Sequence, residues 1–293
     1  MRPGGRGTSF QSHRPRKRFG QHFLADAWAQ KIVKAIAPAP GDVFLEIGPG
    51  KGALTFPLAA SGVPVLAVEI DRDLVRDLAS RLPRNVTVIS ADVLKTDVVQ
   101  YLSGLEPQRA PDHRDDSARP ARRTRIVGNL PYNLTTPILF HLAELQAQHR
   151  MFLDATLMVQ KEVADRLAAR PGTRDYGVLT VMMEVHGKIK RLLNLPPGAF
   201  SPPPKVHSSV IQVTFGPPPV KVSDHRRLER VAKAIFGQRR KMIANSLKTL
   251  TPDPLPILKA TGIDPRRRPE TLTLAELAAL TELLHRPPSA PVL

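Results

Sequence analysis

The first two-thirds of the chain alternates short apolar runs with stretches whose apolar residues recur at helical spacing. The runs predict strands at residues 43–47, 65–69, 86–89, 125–128 and 155–160. Helices are predicted at residues 26–37, 53–60, 74–82, 96–105, 136–149 and 161–169, with Asp26 as the N-cap of the first. Strands that alternate with helices in this rhythm predict an α/β fold built on a doubly wound parallel sheet.

Two segments of the first half depart from that rhythm. Residues 1–18 contain no acidic residue and include the run Arg14-Pro15-Arg16-Lys17-Arg18, which indicates a flexible basic arm. An arginine-rich, acid-poor N terminus is also typical of an organelle transit peptide, but no amphipathic helix is evident here. Residues 106–123 are polar and densely charged in both signs, which is typical of a surface insertion.

The pattern changes after residue 180. Two β-rich stretches, at residues 181–193 and 206–215, are joined by a proline-rich loop that contains Phe200. Beyond Gly216 the chain reads as helical. We therefore predict a domain at residues 19–216 that carries the insertion at 106–123, followed by a small helical domain at residues 217–293.

Charge and composition narrow the class of partner. The chain has 293 residues, with 43 Lys and Arg against 26 acidic residues, a formal charge of +17. Such an excess favours a polyanionic partner, although it is also compatible with a protein that is merely basic. The absence of cysteine excludes disulfides and thiolate catalysis. No apolar run is long enough for a membrane span, and the nine scattered histidines predict no metal site.

A glycine-rich turn follows the first strand and opens a helix, reading Gly48-Pro49-Gly50-Lys51-Gly52. Glycines in such a turn let the backbone approach a ligand closely. Glu69 ends the second strand, where a carboxylate can accept both hydroxyls of a ribose. Asp92, just past the third strand, is either an acceptor for an adenine amino group or a helix N-cap. The pattern indicates an adenosine-containing cofactor and leaves NAD and S-adenosylmethionine open.

The fourth strand ends in Asn129-Leu130-Pro131-Tyr132. The side-chain oxygen of Asn129 and the carbonyl of Leu130 can both accept hydrogen bonds from one exocyclic amino group. Pro131 removes a backbone donor and fixes φ, and Tyr132 offers a face for stacking on a nucleobase. These four residues, here called the acceptor turn, therefore predict a site for a flat, amine-bearing ring.

Six motifs in order resemble those of the small-subunit ribosomal RNA adenine dimethyltransferases, the KsgA family. The resemblance runs from about residue 16 to about residue 283. It rests on Arg18-Phe19-Gly20-Gln21-His22-Phe23-Leu24, Glu46-Ile47-Gly48-Pro49-Gly50, Gly128-Asn129-Leu130-Pro131-Tyr132-Asn133, Gln160-Lys161-Glu162-Val163-Ala164, Ala199-Phe200-Ser201-Pro202-Pro203-Pro204-Lys205-Val206 and Phe236-Gly237-Gln238-Arg239-Arg240-Lys241.

The resemblance implies a Rossmann-like class I methyltransferase that uses S-adenosylmethionine to dimethylate N6 of two adjacent adenosines near the 3′ end of small-subunit rRNA. The implied cofactor contacts are His22, Leu24, Gly48, Glu69, Asp92 and Asn129. The target adenine would be held by Asn129 and Leu130 and stacked by Tyr132 and Phe200. We expect RNA contacts from Arg239, Arg240 and Lys241 on a basic helix. A cytoplasmic monomer acting on a pre-ribosomal particle is further implied.

Several alternatives remain at this stage. The large-subunit rRNA adenine methyltransferases of the macrolide-resistance type share the catalytic motifs, and a non-catalytic ribosome-assembly factor could keep the fold. An NAD-dependent oxidoreductase explains the glycine turn but not the acceptor turn or the charge. A DNA adenine methyltransferase would share the acceptor turn. His22 also stands where the family commonly has Asn.

Overall fold

The computed structural model of this protein describes residues 21–105 and 123–284. The predicted basic arm at 1–18 and all but the last residue of the predicted insertion at 106–123 lie outside the described residues. Within the described ranges, no helix is both long enough and apolar enough to cross a membrane.

Nine strands and eleven α-helices follow one another in the described part of the chain. The strands are β1 (Phe23–Leu24), β2 (Asp42–Ile47), β3 (Val65–Glu69), β4 (Val86–Ser90), β5 (Arg123–Asn129), β6 (Phe152–Gln160), β7 (Gly187–Leu195), β8 (Phe200–Ser201) and β9 (Ser208–Phe215). The helices are α1 (Asp26–Ile36), α2 (Thr55–Ala60), α3 (Arg72–Ala79), α4 (Val98–Ser103), α5 (Thr135–His149), α6 (Lys161–Leu167), α7 (Val178–Glu184), α8 (His225–Phe236), α9 (Ile243–Leu247), α10 (Leu255–Thr261) and α11 (Leu274–Leu283).

Seven strands form one sheet in the order β4-β3-β2-β5-β6-β9-β7, which confirms the predicted doubly wound α/β fold. β2, β3, β4, β5 and β6 pair in parallel, whereas β9 pairs antiparallel with both β6 and β7. The five strands predicted to alternate with helices are therefore all parallel, and antiparallel pairing is confined to one edge of the sheet, where β9 and β7 lie. An antiparallel strand fits there because β7 reaches β9 through the short loop that contains β8, without a helical crossover.

Two hydrophobic clusters cover the faces of this sheet, because strands buried on both faces carry apolar residues on both sides. One cluster packs β2, β5 and β6 against α4 and α5. The other packs the opposite face against α1 and α2. The two-stranded pairing of β1 with β8 lies beside this second cluster, with Leu24 opposite Phe200.

Only the second part of residues 181–193 forms the strand that their Val, Ile and Leu content predicts. The first part belongs to α7, and β7 begins at Gly187. Val181 and Val185 lie one helical turn apart and both are buried against the C-terminal helices. β-branched residues favour strands only weakly, so this long-range packing decides the conformation. A third hydrophobic cluster therefore joins α7 to α8–α11. The predicted domain boundary between residues 216 and 217 stays a prediction.

The N-terminus of α1 also differs from its prediction. Asp26 is the first helical residue, and the N-cap is Ala25, which makes no side-chain capping hydrogen bond. In this position the Asp26 carboxylate still lies in the first helical turn, where negative charge interacts favourably with the helix dipole.

A buried ion network ties neighbouring strands together at the amino ends of β2 and β6. The Arg125 guanidinium donates two hydrogen bonds to Asp154, at 2.9 and 2.8 Å, and one of 3.0 Å to Asp42. Gln212 on β9 donates to the same Asp154 carboxylate at 2.9 Å. All three charged residues are at most 5% exposed. Each buried carboxylate is therefore stabilised by the cation between them.

We expect Arg125→Met to lower the free energy of unfolding by about 3–5 kcal/mol, because two carboxylates would be left buried without their cation. The matched control is Arg226→Met, which breaks the exposed Arg226–Glu144 pair and should cost under about 1 kcal/mol. Urea unfolding of the three proteins measures both effects. Equal stability of the two variants would contradict a stabilising role for the network.

Candidate functional site

A cavity of about 560 Å³ opens at the carboxyl ends of β2, β3 and β5. Four segments form most of its lining: the N-terminal segment around β1, the glycine turn after β2, the end of β3 and the acceptor turn after β5. In an open parallel sheet this is the edge at which ligands bind. The structure therefore brings together most of the residues that the sequence predicts for the cofactor and the target base. Those that line the cavity are His22, Leu24, Gly48, Glu69, Asn129, Leu130 and Tyr132.

The glycine turn has a backbone that other residues adopt only with strain. Gly48, Gly50 and Gly52 have φ values of +68°, +57° and +89°. A Cβ added to Gly50 would lie 3.2 Å from the Phe23 ring, and one added to Gly52 would lie 2.5 Å from Phe56. The turn thus presents backbone rather than side chains to the cavity.

Glu69 connects this turn to the start of α3. Its carboxylate accepts hydrogen bonds from the amides of Gly50 at 3.1 Å and Asp71 at 3.0 Å. The side chain is 6% exposed, and this burial raises the pKa of the carboxyl group, while the two amide hydrogen bonds oppose the rise. A carboxylate fixed in this way at the cavity wall fits the hydroxyls of a ribose, and the glycine turn beside it fits a ligand that approaches the backbone closely.

Glu46 also lines the cavity, and the sequence reasoning assigned it no role. It is 2% exposed and accepts a 2.6 Å hydrogen bond from the Thr55 hydroxyl. Burial raises the pKa of Glu46 to about 7; the nearby charge of Glu69 adds to the rise, and the Thr55 hydrogen bond opposes it. An acidic residue inside an otherwise apolar strand, directly before the glycine turn, was the signal that could have identified it.

The acceptor turn lines the cavity with residues that carry two candidate acceptor oxygen atoms. Asn129 donates its side-chain amide to the backbone carbonyl of His22 at 2.8 Å, which leaves its Oδ1 as an acceptor. The Pro131 carbonyl accepts from Leu134 and Thr135 at the start of α5. By contrast, neither Asn129 Oδ1 nor the Leu130 carbonyl has a hydrogen-bond partner among residues 21–105 and 123–284.

Tyr132 is held at its hydroxyl and on its ring. The hydroxyl lies 2.8 Å from the Ser208 hydroxyl at the start of β9. The ring stacks with His22 at a centroid distance of 5.6 Å and an interplanar angle of 26°. Burial raises the pKa of the Tyr132 phenol, and the hydrogen bond with Ser208 opposes that shift. The group therefore stays a neutral phenol, and its ring is available for stacking.

Phe200 and Asp92 lie outside the residues that line the cavity. Phe200 is 4% exposed and packs in the second hydrophobic cluster. Asp92 follows β4, where its carboxylate accepts from the Leu94 amide at 3.1 Å. The N-cap of α4 is instead Asp97, so the alternative role of Asp92 as that N-cap is wrong. Stacking by Phe200 and adenine binding by Asp92 stay predictions.

The basic residues of the C-terminal region lie in a turn between α8 and α9, so their predicted helical position is wrong. Helix α8 ends at Phe236, and the amide of Lys241 closes a turn on the Gln238 carbonyl at 2.8 Å. Gly237, a poor helix former, allows the chain to leave the helix at this point. Arg240 and Lys241 are exposed, and Arg239 reaches the Thr173 carbonyl at 3.5 Å.

Comparison with known proteins decides which class of protein carries this site. Residues 12–285 match the family model described as ribosomal RNA adenine dimethylase. The chain belongs to this family. The ribosomal RNA small subunit methyltransferase A of Acinetobacter baylyi is 43% identical over 276 residues, which cover 93% of each protein. The protein of the same name from Aromatoleum aromaticum is 44% identical over 276 residues, 93% of this chain and 95% of that protein.

Solved structures confirm the predicted class I methyltransferase fold of this dimethylase-family chain. A dimethyladenosine transferase from Plasmodium falciparum aligns with a TM-score of 0.68 at 22% identity, over 88% of this chain and 96% of that one. The 23S rRNA methyltransferase ErmE aligns with a TM-score of 0.61 at 25% identity, over 90% of this chain and all of that one.

The pKa of Glu46 leads to a prediction about stability. The value is about 7 in the folded protein against an ordinary value of 4.5, so the folded state binds this proton more tightly than the unfolded chain. The contribution of Glu46 to stability is therefore greatest below about pH 4.5 and falls by up to about 3 kcal/mol as the pH rises through about 7. Glu46→Gln keeps an acceptor for Thr55 and should lack this dependence.

Urea unfolding of the cofactor-free proteins between about pH 5 and about pH 8 measures the effect. We expect Glu46→Gln to gain stability relative to the wild type as the pH rises. Glu162→Gln, which removes one carboxylate from an exposed position on α6, is the matched control. Parallel pH profiles for the wild type and Glu46→Gln would contradict the assignment.

Proposed function

We propose that this protein transfers methyl groups from S-adenosylmethionine to N6 of two adjacent adenosines near the 3′ end of small-subunit rRNA, giving dimethyladenosine during ribosome biogenesis. The observation that carries the proposal is the acceptor turn, where Asn129 Oδ1 and the Leu130 carbonyl lie at the cavity without partners among the described residues. Family membership and the name shared by the curated relatives, ribosomal RNA small subunit methyltransferase A, support the substrate class.

The residues that line the cavity fit S-adenosylmethionine. Glu69 would accept the ribose hydroxyls, and the backbone of the turn from Gly48 to Gly52 would lie against the ligand. His22 and Leu24 border the same cavity from the N-terminal segment. When bound, S-adenosylmethionine supplies a methyl group on a positively charged sulfur, which makes that methyl group electrophilic.

The acceptor turn addresses the chemical difficulty of the target amine. The N6 lone pair of adenine is delocalised into the ring, so the amine is a weak nucleophile. Two acceptors, Asn129 Oδ1 and the Leu130 carbonyl, would hold its two hydrogens and favour a pyramidal nitrogen whose lone pair points at the methyl group. An amide does not remove protons, so Asn129 acts by positioning. Alignment of this kind contributes up to about 7–11 kcal/mol in ideal intramolecular reactions.

A base paired or stacked in RNA has to leave its stack to reach this turn. Tyr132 would then stack on the ring, which is worth about 1–3 kcal/mol for a nucleobase. Phe200 is proposed for the same role, and because it is buried in the second cluster it would reach the base only if its loop moved. We further propose that the substrate is rRNA within a pre-ribosomal particle and that the protein acts as a cytoplasmic monomer.

The rival functions are less well supported. The similarity to the 23S rRNA methyltransferase ErmE favours a large-subunit substrate, but the two chains are only 25% identical. The relatives named for the small subunit are 43% and 44% identical to this chain. A non-catalytic assembly factor would not need an intact cavity with unpaired acceptors. A nicotinamide-dependent oxidoreductase would leave the acceptor turn and the charge of +17 unexplained.

We expect Asn129→Ala to reduce methyl transfer to small-subunit particles by at least about 100-fold, as removal of a single positioned hydrogen-bonding group does in other enzymes. Affinity for the RNA should stay within about threefold, because the RNA is bound mainly through its phosphates. Single-turnover transfer of labelled methyl groups and filter binding measure the two quantities. Gln148→Ala, which removes an exposed amide at the far end of α5, is the control. Parallel loss of affinity and activity would contradict the role of Asn129.

We expect replacement of Arg239, Arg240 and Lys241 by Gln to weaken RNA binding and to flatten its salt dependence. If all three contact phosphates, the slope of log K against log salt should fall by about 2–3. The control replaces three exposed basic residues from α1, α3 and the loop after α3, namely Lys34, Arg76 and Arg84. Binding titrations over a range of salt concentrations measure the slopes. Equal slopes for the two triple variants would mean that the turn does not contact RNA.

A further inference from the structure

His22 makes three contacts that connect three separate segments of the chain. Its ring Nδ1 lies 2.7 Å from the Pro202 carbonyl and donates to it. Its ring stacks with Tyr132 at a centroid distance of 5.6 Å. Its backbone carbonyl accepts the Asn129 amide at 2.8 Å. The N-terminal segment, the acceptor turn and the loop after β8 therefore meet at one residue.

Two of these contacts belong to the imidazole and one to the backbone. The backbone contact holds Asn129 whatever side chain stands at position 22. The imidazole contacts go to Tyr132 and to Pro202, which follows Phe200 by two residues, and both aromatic residues belong to the predicted site of the target base. The side chain of His22 thus contacts the acceptor side of the cavity, although its sequence motif implies a cofactor contact.

The Tyr132 ring is held by contacts of two kinds. Its hydroxyl is fixed against Ser208 at 2.8 Å, and the His22 imidazole covers one face. Offset-stacked rings in this distance range attract each other more strongly than the area that they bury would give. A tyrosine held in this way can stack with a further planar group only on its other face. The orientation of His22 therefore sets the plane against which a base can lie.

We propose that the His22 imidazole is a positioning residue for the target adenine, acting through the Tyr132 ring. This inference rests on the proposed methylation of adenine and goes beyond it by separating the ring of His22 from cofactor binding. The imidazole fixes the plane of Tyr132, and the bond to Pro202 holds the imidazole itself. Loss of the ring should then slow methyl transfer without weakening the binding of S-adenosylmethionine.

The first test compares His22→Ala with His22→Phe, which keeps a ring for stacking but lacks the donor to Pro202. We expect His22→Ala to lower kcat about tenfold while the Kd for S-adenosylmethionine, measured by calorimetry, changes less than about twofold. His22→Phe should recover part of kcat, because it restores the stacking on Tyr132 but not the bond to Pro202. His149→Ala, at the exposed end of α5, controls for loss of a histidine. A Kd that weakens in parallel with activity would overturn the proposal.

The second test is a double-mutant cycle with Tyr132→Ala, because two residues that act through one contact do not have additive effects. In the Tyr132→Ala background, His22→Ala should lower kcat by less than about twofold more. Additive effects would overturn the action through Tyr132. If the wild type methylates a different adenine-bearing nucleic acid, the proposed substrate is wrong, and the same cycle on that substrate still tests His22. If the wild-type protein methylates no adenine at all, both the proposed function and the proposed role of His22 are wrong.

Discussion

The parallel pairing of β2 with both β3 and β5 sets the relative positions of the glycine turn, Glu69 and Asn129 at the cavity. Ile47, the last residue of β2, lies opposite Val68 on one side and Gly128 on the other. The residues that follow these three in the chain are Gly48, Glu69 and Asn129. One register therefore brings the glycine turn, the Glu69 carboxylate and the Asn129 amide to the same edge of the sheet. A shift by one residue would turn each side chain to the opposite face.

Buried charge is handled differently at the two ends of these strands. At the amino ends, Arg125 neutralises the buried carboxylates Asp42 and Asp154, and the network joins four adjacent strands through Gln212. At the cavity, Glu46 has no cationic partner among the described residues and accepts a hydrogen bond from the Thr55 hydroxyl. Its burial raises the pKa of the carboxyl group to about 7. The first arrangement serves stability, whereas the second leaves a carboxyl group at the ligand site at the expense of stability near neutral pH.

Local sequence patterns predicted much of this architecture. The alternation of apolar runs and helical stretches placed the five parallel strands and the helices between them, because each such element carries its own periodicity. The acceptor turn and the glycine turn were recognisable because their residues are adjacent in the chain. Glu69 could be placed because it ends the strand next to the glycine turn.

The failures share a dependence on distant residues. Helix α7 carries valines that favour a strand locally, and its packing against α8–α11 could not be read from those residues alone. The contact of His22 with Tyr132 joins residues more than a hundred positions apart, as does its bond to Pro202. The burial of Phe200 likewise depends on its pairing with Leu24. Only the folded chain shows which aromatic ring faces the cavity and which lies in the core.

The most direct test of the account is to incubate the protein with labelled S-adenosylmethionine and unmethylated small-subunit particles, with large-subunit RNA and duplex DNA in parallel. Digestion and mass spectrometry of each RNA then locate and count the methyl groups. We expect dimethyladenosine at two adjacent positions near the 3′ end of small-subunit rRNA. Label on large-subunit RNA alone, or no transfer to any substrate despite measurable cofactor binding, would contradict it.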